Sequence, residues 1–156
     1  MAAEVGRPAP DFTLAGSDNT DAGRRDYSLS EYRGQPVVLV FYPGDATPVC
    51  TRQLNSYTED IDSFTEAGAQ VLAISPQSVA SHDEFSCKQG GFAFPLLADT
   101  DKAVGEAYGI LGPLGFYRRS AFVVDAEGIV RYAHRAVAGL TFRSTEELVA
   151  AVKAAR

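Results

Sequence analysis

One cysteine lies where the chain passes from a buried strand into a helix, a position that favours a reactive thiol. Residues 37–41 are apolar and mostly β-branched, as expected for a strand that is buried on both faces. Thr47 and Pro48 suit the N-cap and the first position of a helix, which puts Cys50 in its first turn. Backbone N–H groups at a helix start stabilise a thiolate. We therefore expect Cys50 to act as an anionic nucleophile.

The residues around Cys50 share their spacing with a known family of enzymes. Pro43, Thr47 and Cys50 stand in the pattern Pro-x-x-x-Thr-x-x-Cys, and residues 51–53 continue it as Thr-Arg-Gln. This pattern resembles the motif of peroxiredoxins, in the bacterioferritin-comigratory (PrxQ) branch of the AhpC/TSA family. Further segments resemble blocks of that family in the same order, namely residues 6–14, 27–34, 94–99 and 119–125. The resemblance therefore covers nearly the whole chain.

The resemblance implies a thiol peroxidase and a role for each residue of the motif. Cys50 would attack a peroxide oxygen as a thiolate and become a sulfenic acid. Thr47 would offer its hydroxyl to the peroxide, a role that is compatible with that of a helix N-cap. Pro43 would shield the sulfur from water, with a simple turn residue as the alternative.

Two adjacent arginines, Arg118 and Arg119, supply a candidate for the positively charged group of the site. Arg119 matches the arginine of the family pattern Arg-x-x-Phe, which ends here at Phe122. In that position a guanidinium would stabilise both the thiolate and the departing oxyanion. Successive side chains of a strand face opposite sides, so only one of Arg118 and Arg119 can face the pocket. The spacing to Phe122 selects Arg119.

The second cysteine of the chain is a candidate for the residue that resolves the sulfenic acid. Many PrxQ-like chains carry that cysteine five residues after the first, but Asn55 occupies this position here. Another subset of the branch has it in the next helix, where this chain has Cys87. The resemblance therefore implies an intramolecular Cys50–Cys87 disulfide, and the alternative is a half-buried cysteine without a role. Because the two cysteines belong to different helices, we expect both segments to open before the disulfide forms.

Length and charge indicate a small protein with one domain. The 156 residues are 46% hydrophobic, which is enough for a buried core, and we interpret residues 1–156 as a single domain. A net charge of −6 argues against a nucleic-acid partner. Residues 1–7 lack the apolar segment of a signal peptide, and no apolar run is long enough to span a bilayer. We therefore expect a cytoplasmic protein without a membrane partner.

The sequence predicts no metal site and no bound cofactor. The two histidines and two cysteines have spacings that fit no paired-ligand zinc pattern. The glycine-containing segment 109–116 is apolar and lacks the Lys-Ser or Lys-Thr pair of a phosphate-binding loop. We interpret this segment as a hydrophobic rim near the site or a contact surface. Because flavin and nicotinamide fingerprints are missing, the electrons have to come from another protein.

Alternating strands and helices are predicted to position these residues. Short β-branched and aromatic segments predict strands around Phe12 and at residues 27–29, 37–41, 71–75, 94–97, 121–124 and 130–133. Apolar stripes and caps predict helices at residues 48–67, 78–89, 102–108 and 145–155. Residues 16–26 are predicted to form a surface loop, and residues 125–128 a hairpin turn between antiparallel strands. The fold class is therefore α/β, with a central mixed β-sheet flanked by helices on both faces, as the thioredoxin-like fold of peroxiredoxins requires.

These observations predict a thiol-specific peroxidase. The resemblance implies hydrogen peroxide and organic hydroperoxides as substrates, and a thioredoxin-like protein as the reductant of the disulfide. The alternative is a peroxide-sensing protein that uses the same disulfide as a switch for a partner. A generic thioredoxin-like disulfide reductase is disfavoured, because Cys50 does not belong to a Cys-x-x-Cys pair. We expect a monomer or a weak homodimer.

Overall fold

A seven-stranded β-sheet forms the centre of the fold. The structure is a computed structural model and describes residues 3–136 and 142–155. Its strands are β1 (Thr13–Ser17), β2 (Arg25–Ser28), β3 (Val37–Phe41), β4 (Gln70–Ser75), β5 (Leu96–Ala98), β6 (Ser120–Val124) and β7 (Val130–Arg135). Its helices are α1 (Pro48–Glu59), α2 (Ile61–Glu66), α3 (Val79–Lys88), α4 (Ala103–Ala107) and α5 (Thr145–Ala154). Short 3-10 helices cover Leu29–Tyr32 and Pro113–Gly115.

The sheet is mixed, as predicted. Its strand order is β2-β1-β5-β4-β3-β6-β7. The central strands β3, β4 and β5 are parallel, whereas β6 pairs antiparallel with both β3 and β7, and β1 pairs antiparallel with β2 and β5. The predicted hairpin turn at residues 125–128 is confirmed by the antiparallel β6–β7 pair. The parallel arrangement brings the carboxyl ends of β3 and β4 to one edge, where α1 begins after β3.

Apolar side chains from both faces of the sheet build the core. Every residue of β3 is at most 2% exposed, which confirms the prediction of a strand buried on both faces. Helices α1, α2, α3 and α5 cover one face, through Leu54, Tyr57, Phe64, Phe85, Leu148 and Val152. Helix α4 covers the other face together with the N-terminal segment, through Phe12, Val104 and Tyr108. Because burial of one such side chain contributes about 1.5–3 kcal/mol, β3 is a rigid base for the loop that follows it.

Two predictions about elements are wrong in part. The predicted helix 48–67 is broken at Asp60, whose backbone leaves helical geometry (φ −98°, ψ 16°) and whose carboxylate accepts a hydrogen bond from Thr145 at 2.8 Å. The predicted loop 16–26 is shorter, because β1 extends to Ser17 and β2 begins at Arg25. The other predicted elements occur within a few residues of their expected bounds. Gly68, with a φ of +80°, follows α2 and ends this helical segment.

The predicted domain 1–156 includes residues 1, 2, 137–141 and 156, which lie outside the described residues. Within the described ranges, none of the helices has the length and apolar character needed to cross a membrane.

Candidate active site

Cys50 lies in the first turn of α1, directly beyond the carboxyl end of β3. The loop of residues 42–47 joins these elements, and the first helical hydrogen bond runs from the Thr51 N–H to the Thr47 carbonyl at 2.9 Å. The side chain of Cys50 is completely buried, and both cysteines of the chain are free thiols. The predicted placement of Cys50 at a helix start is therefore confirmed. Its sulfur lies in a site from which bulk water is excluded.

Arg119 provides a positive charge directly at this sulfur. Its Nη1 donates to the Sγ of Cys50 at 3.2 Å, and the residue is only 4% exposed. The sheet register explains this contact, because Ser120 in β6 pairs with Phe41 at the end of β3. Arg119 precedes Ser120 and thus reaches past the end of β3 to the start of α1. A permanently charged guanidinium in a buried site favours the thiolate form of a cysteine.

Arg118 takes a different position from its neighbour. It is half-buried, and its backbone N–H donates to the Ile110 carbonyl at 2.7 Å. Its side-chain carbons lie beside Gly112 instead of Cys50. The structure thus places Arg119 at the sulfur, as the spacing to Phe122 predicted, while the catalytic role of Arg119 stays a prediction.

Gln53 is part of the site and was missed in the sequence. It is 1% exposed, and its Oε1 accepts a hydrogen bond from Arg119 Nη1 at 2.6 Å. One nitrogen of Arg119 therefore contacts both the sulfur and this amide, which fixes the direction of the guanidinium. The sequence spacing indicates that Gln53 lies beside Cys50, because a residue three positions after Cys50 lies on the same face of a helix.

Thr47 is the N-cap residue of α1, but its side chain does not cap the helix. Its backbone is extended, as an N-cap requires, and its hydroxyl donates to the Gly44 carbonyl at 3.2 Å. The predicted N-cap position of Thr47 is therefore confirmed, while its hydroxyl is turned back into the loop. The residue is exposed, and the role of its hydroxyl toward a peroxide at Cys50 stays a prediction. Pro43 is half-buried in the same loop, and its shielding role stays a prediction.

Cys87 lies near the end of α3 and is exposed. The end of α3 packs beside α1, since Asn55 Nδ2 donates to Gln89 Oε1 at 2.9 Å. Lys88, the residue after Cys87, pairs with Glu84 at 3.0 Å. One thiol is buried and the other faces solvent, and the expected opening of both segments before a disulfide forms stays a prediction. The resolving role of Cys87 stays a prediction.

The loop of residues 42–47 also carries a buried acidic group. The Asp45 carboxylate accepts hydrogen bonds from Tyr42 at 2.7 Å and from Ser81 at 2.6 Å, and it lies 2.8 Å from His82 Nδ1. Burial alone would raise the pKa of Asp45, but the bonds from His82, Ser81 and Tyr42 outweigh it and hold the pKa below its ordinary value. Burial, followed by the neighbouring Asp45, raises the pKa of Tyr42 well above 10. His82 therefore belongs to this network, and the described residues contain no group of three or more His, Cys, Asp and Glu side chains that could hold a metal ion.

The chain is similar in sequence to a family of known proteins. The chain matches the model of the AhpC/TSA family over residues 5–133. It is 38% identical over 131 residues to Peroxiredoxin Q, chloroplastic, from Oryza sativa subsp. japonica, an alignment that covers 83% of this chain and 58% of the rice protein. It is 38% identical over 138 residues to the thioredoxin peroxidase of Echinococcus granulosus, covering 84% of this chain and 70% of that protein. The chain thus spans less than two thirds of the length of the rice relative.

A solved structure shows the same fold. The bacterioferritin comigratory protein of Xanthomonas campestris superposes on this chain with a TM-score of 0.82 at 32% sequence identity. The match covers 97% of this chain and 98% of the Xanthomonas chain. Together with the mixed sheet and the helices on both of its faces, this likeness confirms the predicted thioredoxin-like α/β fold.

Proposed function

We propose that this chain, which belongs to the AhpC/TSA family in its PrxQ branch and is a peroxidase of the oxidoreductase class, reduces hydrogen peroxide and organic hydroperoxides at Cys50. The observation that carries the proposal is the contact of 3.2 Å between Arg119 Nη1 and Cys50 Sγ at the start of α1. The Xanthomonas campestris relative is described as having alkyl peroxide reduction activity. That description supports a similar substrate range for this chain.

The first step oxidises Cys50. The thiolate sulfur attacks one peroxide oxygen, so that an S–O bond forms and the O–O bond breaks. The electron pair of the O–O bond leaves with the second oxygen, which takes up a proton and departs as water or an alcohol. Sulfur is oxidised to a sulfenic acid, and the peroxide is reduced. Arg119 stabilises the negative charge, which starts on sulfur and ends on the departing oxygen.

The buried position of Cys50 strengthens this stabilisation. The sulfur is 0% exposed, so the field of the guanidinium is weakly screened by water. Gln53 holds the guanidinium in place before the peroxide arrives, which makes the charge preorganised. Thr47 completes the site with a hydroxyl that can donate to the bound peroxide.

The second step joins the two cysteines. The Cys87 sulfur attacks the sulfenic sulfur, an S–S bond forms, the S–O bond breaks, and the hydroxyl leaves as water with the thiol proton of Cys87. The first turn of α1 and the end of α3 have to open for this reaction. Gly90 and Gly91, with φ values of +81° and +94° and no atom near either Cβ position, provide a pivot after α3.

A dithiol protein of the thioredoxin type then returns the enzyme to its starting state. Its two thiols become a disulfide as the Cys50–Cys87 bond is reduced, so the electrons balance without a bound cofactor. The Echinococcus granulosus relative is named a thioredoxin peroxidase, which supports this class of reductant. We also propose a cytoplasmic location and a monomer or weak homodimer.

One observation favours a second candidate function. Cys87 is exposed on a surface helix, so a disulfide to Cys50 would change the surface that a partner meets. A peroxide sensor would use that change as its signal and would not need to turn over.

Catalytic turnover separates the two functions. Reduced protein is mixed with peroxide, a thioredoxin, thioredoxin reductase and NADPH, and NADPH consumption is followed. Continuous consumption that is lost in Cys50→Ser supports the peroxidase, whereas a single slow equivalent supports the sensor.

Cys87→Ser tests the second step separately. This variant should react once with peroxide and then accumulate sulfenic and sulfinic acid at Cys50, detected by mass spectrometry. Normal turnover of the variant with thioredoxin would show that an external thiol resolves Cys50.

A further inference from the structure

A buried network ties the loop that carries the reactive cysteine to the helix that carries the second one. We call this network the Asp45 clamp, and its members are Tyr42, Asp45, Ser81 and His82. Asp45 lies between β3 and Cys50, whereas Ser81 and His82 lie in the first turn of α3. The side chains of Asp45 and His82 are 4% and 0% exposed, so their contact is sealed from solvent.

Both ring nitrogens of His82 lie beside hydrogen-bond acceptors. Its Nε2 lies 2.9 Å from the carbonyl oxygen of Leu97, which can only accept, so this nitrogen carries a proton. Its Nδ1 lies 2.8 Å from an Asp45 oxygen that already accepts a hydrogen bond from Ser81. An ionised carboxylate can only accept as well, so Nδ1 also carries a proton. With the Asp45 carboxylate ionised, the contact between the two side chains is a charge-assisted hydrogen bond.

Further contacts hold the same stretch of loop. The backbone N–H of Asp45 donates to Gln77 Oε1 at 3.1 Å, just before the start of α3. The carboxylate also accepts the hydroxyl hydrogen of Tyr42, the residue that follows β3. The loop is therefore attached to the first turn of α3 by the Asp45 side chain and to the residues just before α3 by its backbone. Neither Asp45 nor His82 contacts Cys50 among the described hydrogen bonds, so their role differs from that of Arg119.

We propose that the Asp45 clamp positions the Cys50 loop in its closed form and thereby sets how often the sulfenic acid is lost to overoxidation. This inference rests on the proposed function. A sulfenic acid that stays in the closed site can meet a second peroxide. A sulfenic acid in an opened loop can meet Cys87.

The two fates are distinct reactions. In overoxidation the sulfenic sulfur attacks a second peroxide, a further S–O bond forms, the O–O bond breaks, and water or an alcohol leaves, which gives a sulfinic acid. In resolution an S–S bond to Cys87 forms and water leaves. Opening of the loop is required for resolution only, so a weaker clamp shifts the balance toward the disulfide.

Asp45→Asn tests the clamp with an isosteric change. The variant removes the charge of the carboxylate and keeps its size. Hydrogen bonds to charged groups are roughly twice as strong as neutral ones, so we expect the sulfinic fraction of Cys50 per turnover to fall by about tenfold. The fraction is measured by mass spectrometry under a series of peroxide concentrations, with thioredoxin recycling.

Asp83→Asn is the matched control on the same helix. Asp83 follows His82 and fixes α3 to other parts of the chain, with Ser17 at 2.5 Å and Arg24 at 2.7 Å. Arg24 is half-exposed, and such surface pairs contribute little, so this variant should change the sulfinic fraction by less than about twofold. An equal or larger sulfinic fraction in Asp45→Asn than in Asp83→Asn overturns the proposal.

Amide exchange in reduced protein tests the Asp45 clamp without peroxide, and therefore also if the proposed function is wrong. In reduced protein, amide exchange in residues 42–50 should be about tenfold faster in Asp45→Asn than in wild type, and unchanged in Asp83→Asn. Unchanged exchange in Asp45→Asn refutes the clamp. If Asp45→Asn does not fold, Ser81→Ala, which removes one hydrogen bond to the same carboxylate, has to change exchange in the same direction or the proposal is wrong. Absence of peroxide turnover in wild type would refute the proposed function alone.

Discussion

Replacing Arg119 by alanine should slow the reaction of Cys50 with peroxide by a large factor. The variant removes a guanidinium that lies 3.2 Å from the sulfur and is 4% exposed. A hydrogen bond to a charged group contributes about 1.5–3 kcal/mol, and each 1.36 kcal/mol of barrier changes a rate tenfold. We therefore expect the second-order rate constant for peroxide to fall by about 10-fold to 150-fold.

Stopped-flow measurement of thiol loss in reduced protein gives this rate constant directly. The control is Arg118→Ala, which removes the same charge one position earlier, from a half-buried side chain beside Gly112. We expect this variant to react at nearly the wild-type rate. Circular dichroism of both variants shows whether the fold is retained.

Comparison of the rate losses in the two variants tests which arginine belongs to the site. A larger loss of rate in Arg118→Ala than in Arg119→Ala, with both variants folded, would refute the assignment of Arg119 to the site. An unchanged rate in Arg119→Ala would refute the electrostatic argument as a whole.

Three further predictions concern other residues of the loop and of α1. Thr47→Val should slow peroxide reduction by about 10²-fold, as expected for loss of one donor to the transition state. The Thr47 hydroxyl makes no capping bond, and the variant loses its hydrogen bond to the Gly44 carbonyl in an exposed loop, so it should stay folded with a urea midpoint only slightly below that of wild type. Gln53→Met removes the acceptor that orients Arg119 and should slow stopped-flow thiol oxidation by about tenfold, and an unchanged rate would contradict its positioning role. Burial would raise the pKa of Asp45, but hydrogen bonding from His82 outweighs burial and holds this pKa below 3.8. The ionised carboxylate therefore stabilises the fold above that pH, and this stabilisation is lost as the pH falls through the pKa of the folded state. The difference in unfolding free energy between wild type and Asp45→Asn, from urea titrations, should therefore shrink below about pH 4, and a difference that stays constant would refute this assignment.

The sequence predicts the positions that depend on local patterns. Cys50 follows a continuous apolar strand and two helix-start residues, so its place in the first turn of α1 needs no tertiary information. The choice of Arg119 over Arg118 is also local, because it depends on the spacing to Phe122 in the sequence. The break at Asp60 is different. The apolar stripe of α1 continues into α2 at helical spacing, and the Thr145 hydroxyl that binds Asp60 is 85 positions away in the chain.

The parts of the site that could not be predicted depend on contacts between distant segments. Asp45 and His82 are 37 positions apart, and no sequence motif links one residue to the other. Only the parallel pairing of β3 and β4 brings the loop after β3 beside the start of α3. The position of Gln53 beside Cys50 could have been predicted, because the two residues are three positions apart along a helix. Its role could not, because a glutamine side chain has no reactive group that indicates a place in an active site. Its role depends on the guanidinium of Arg119, which reaches it from the residue before β6.

The central claim is that Cys50 is the residue that reduces peroxide. It is tested most directly by counting the peroxide equivalents that reduced protein consumes in the absence of any reductant, together with the remaining free thiols. Wild type should consume one equivalent per chain and lose both thiols, and Cys50→Ser should consume none and keep the thiol of Cys87. Consumption by Cys50→Ser equal to that of wild type would contradict the account.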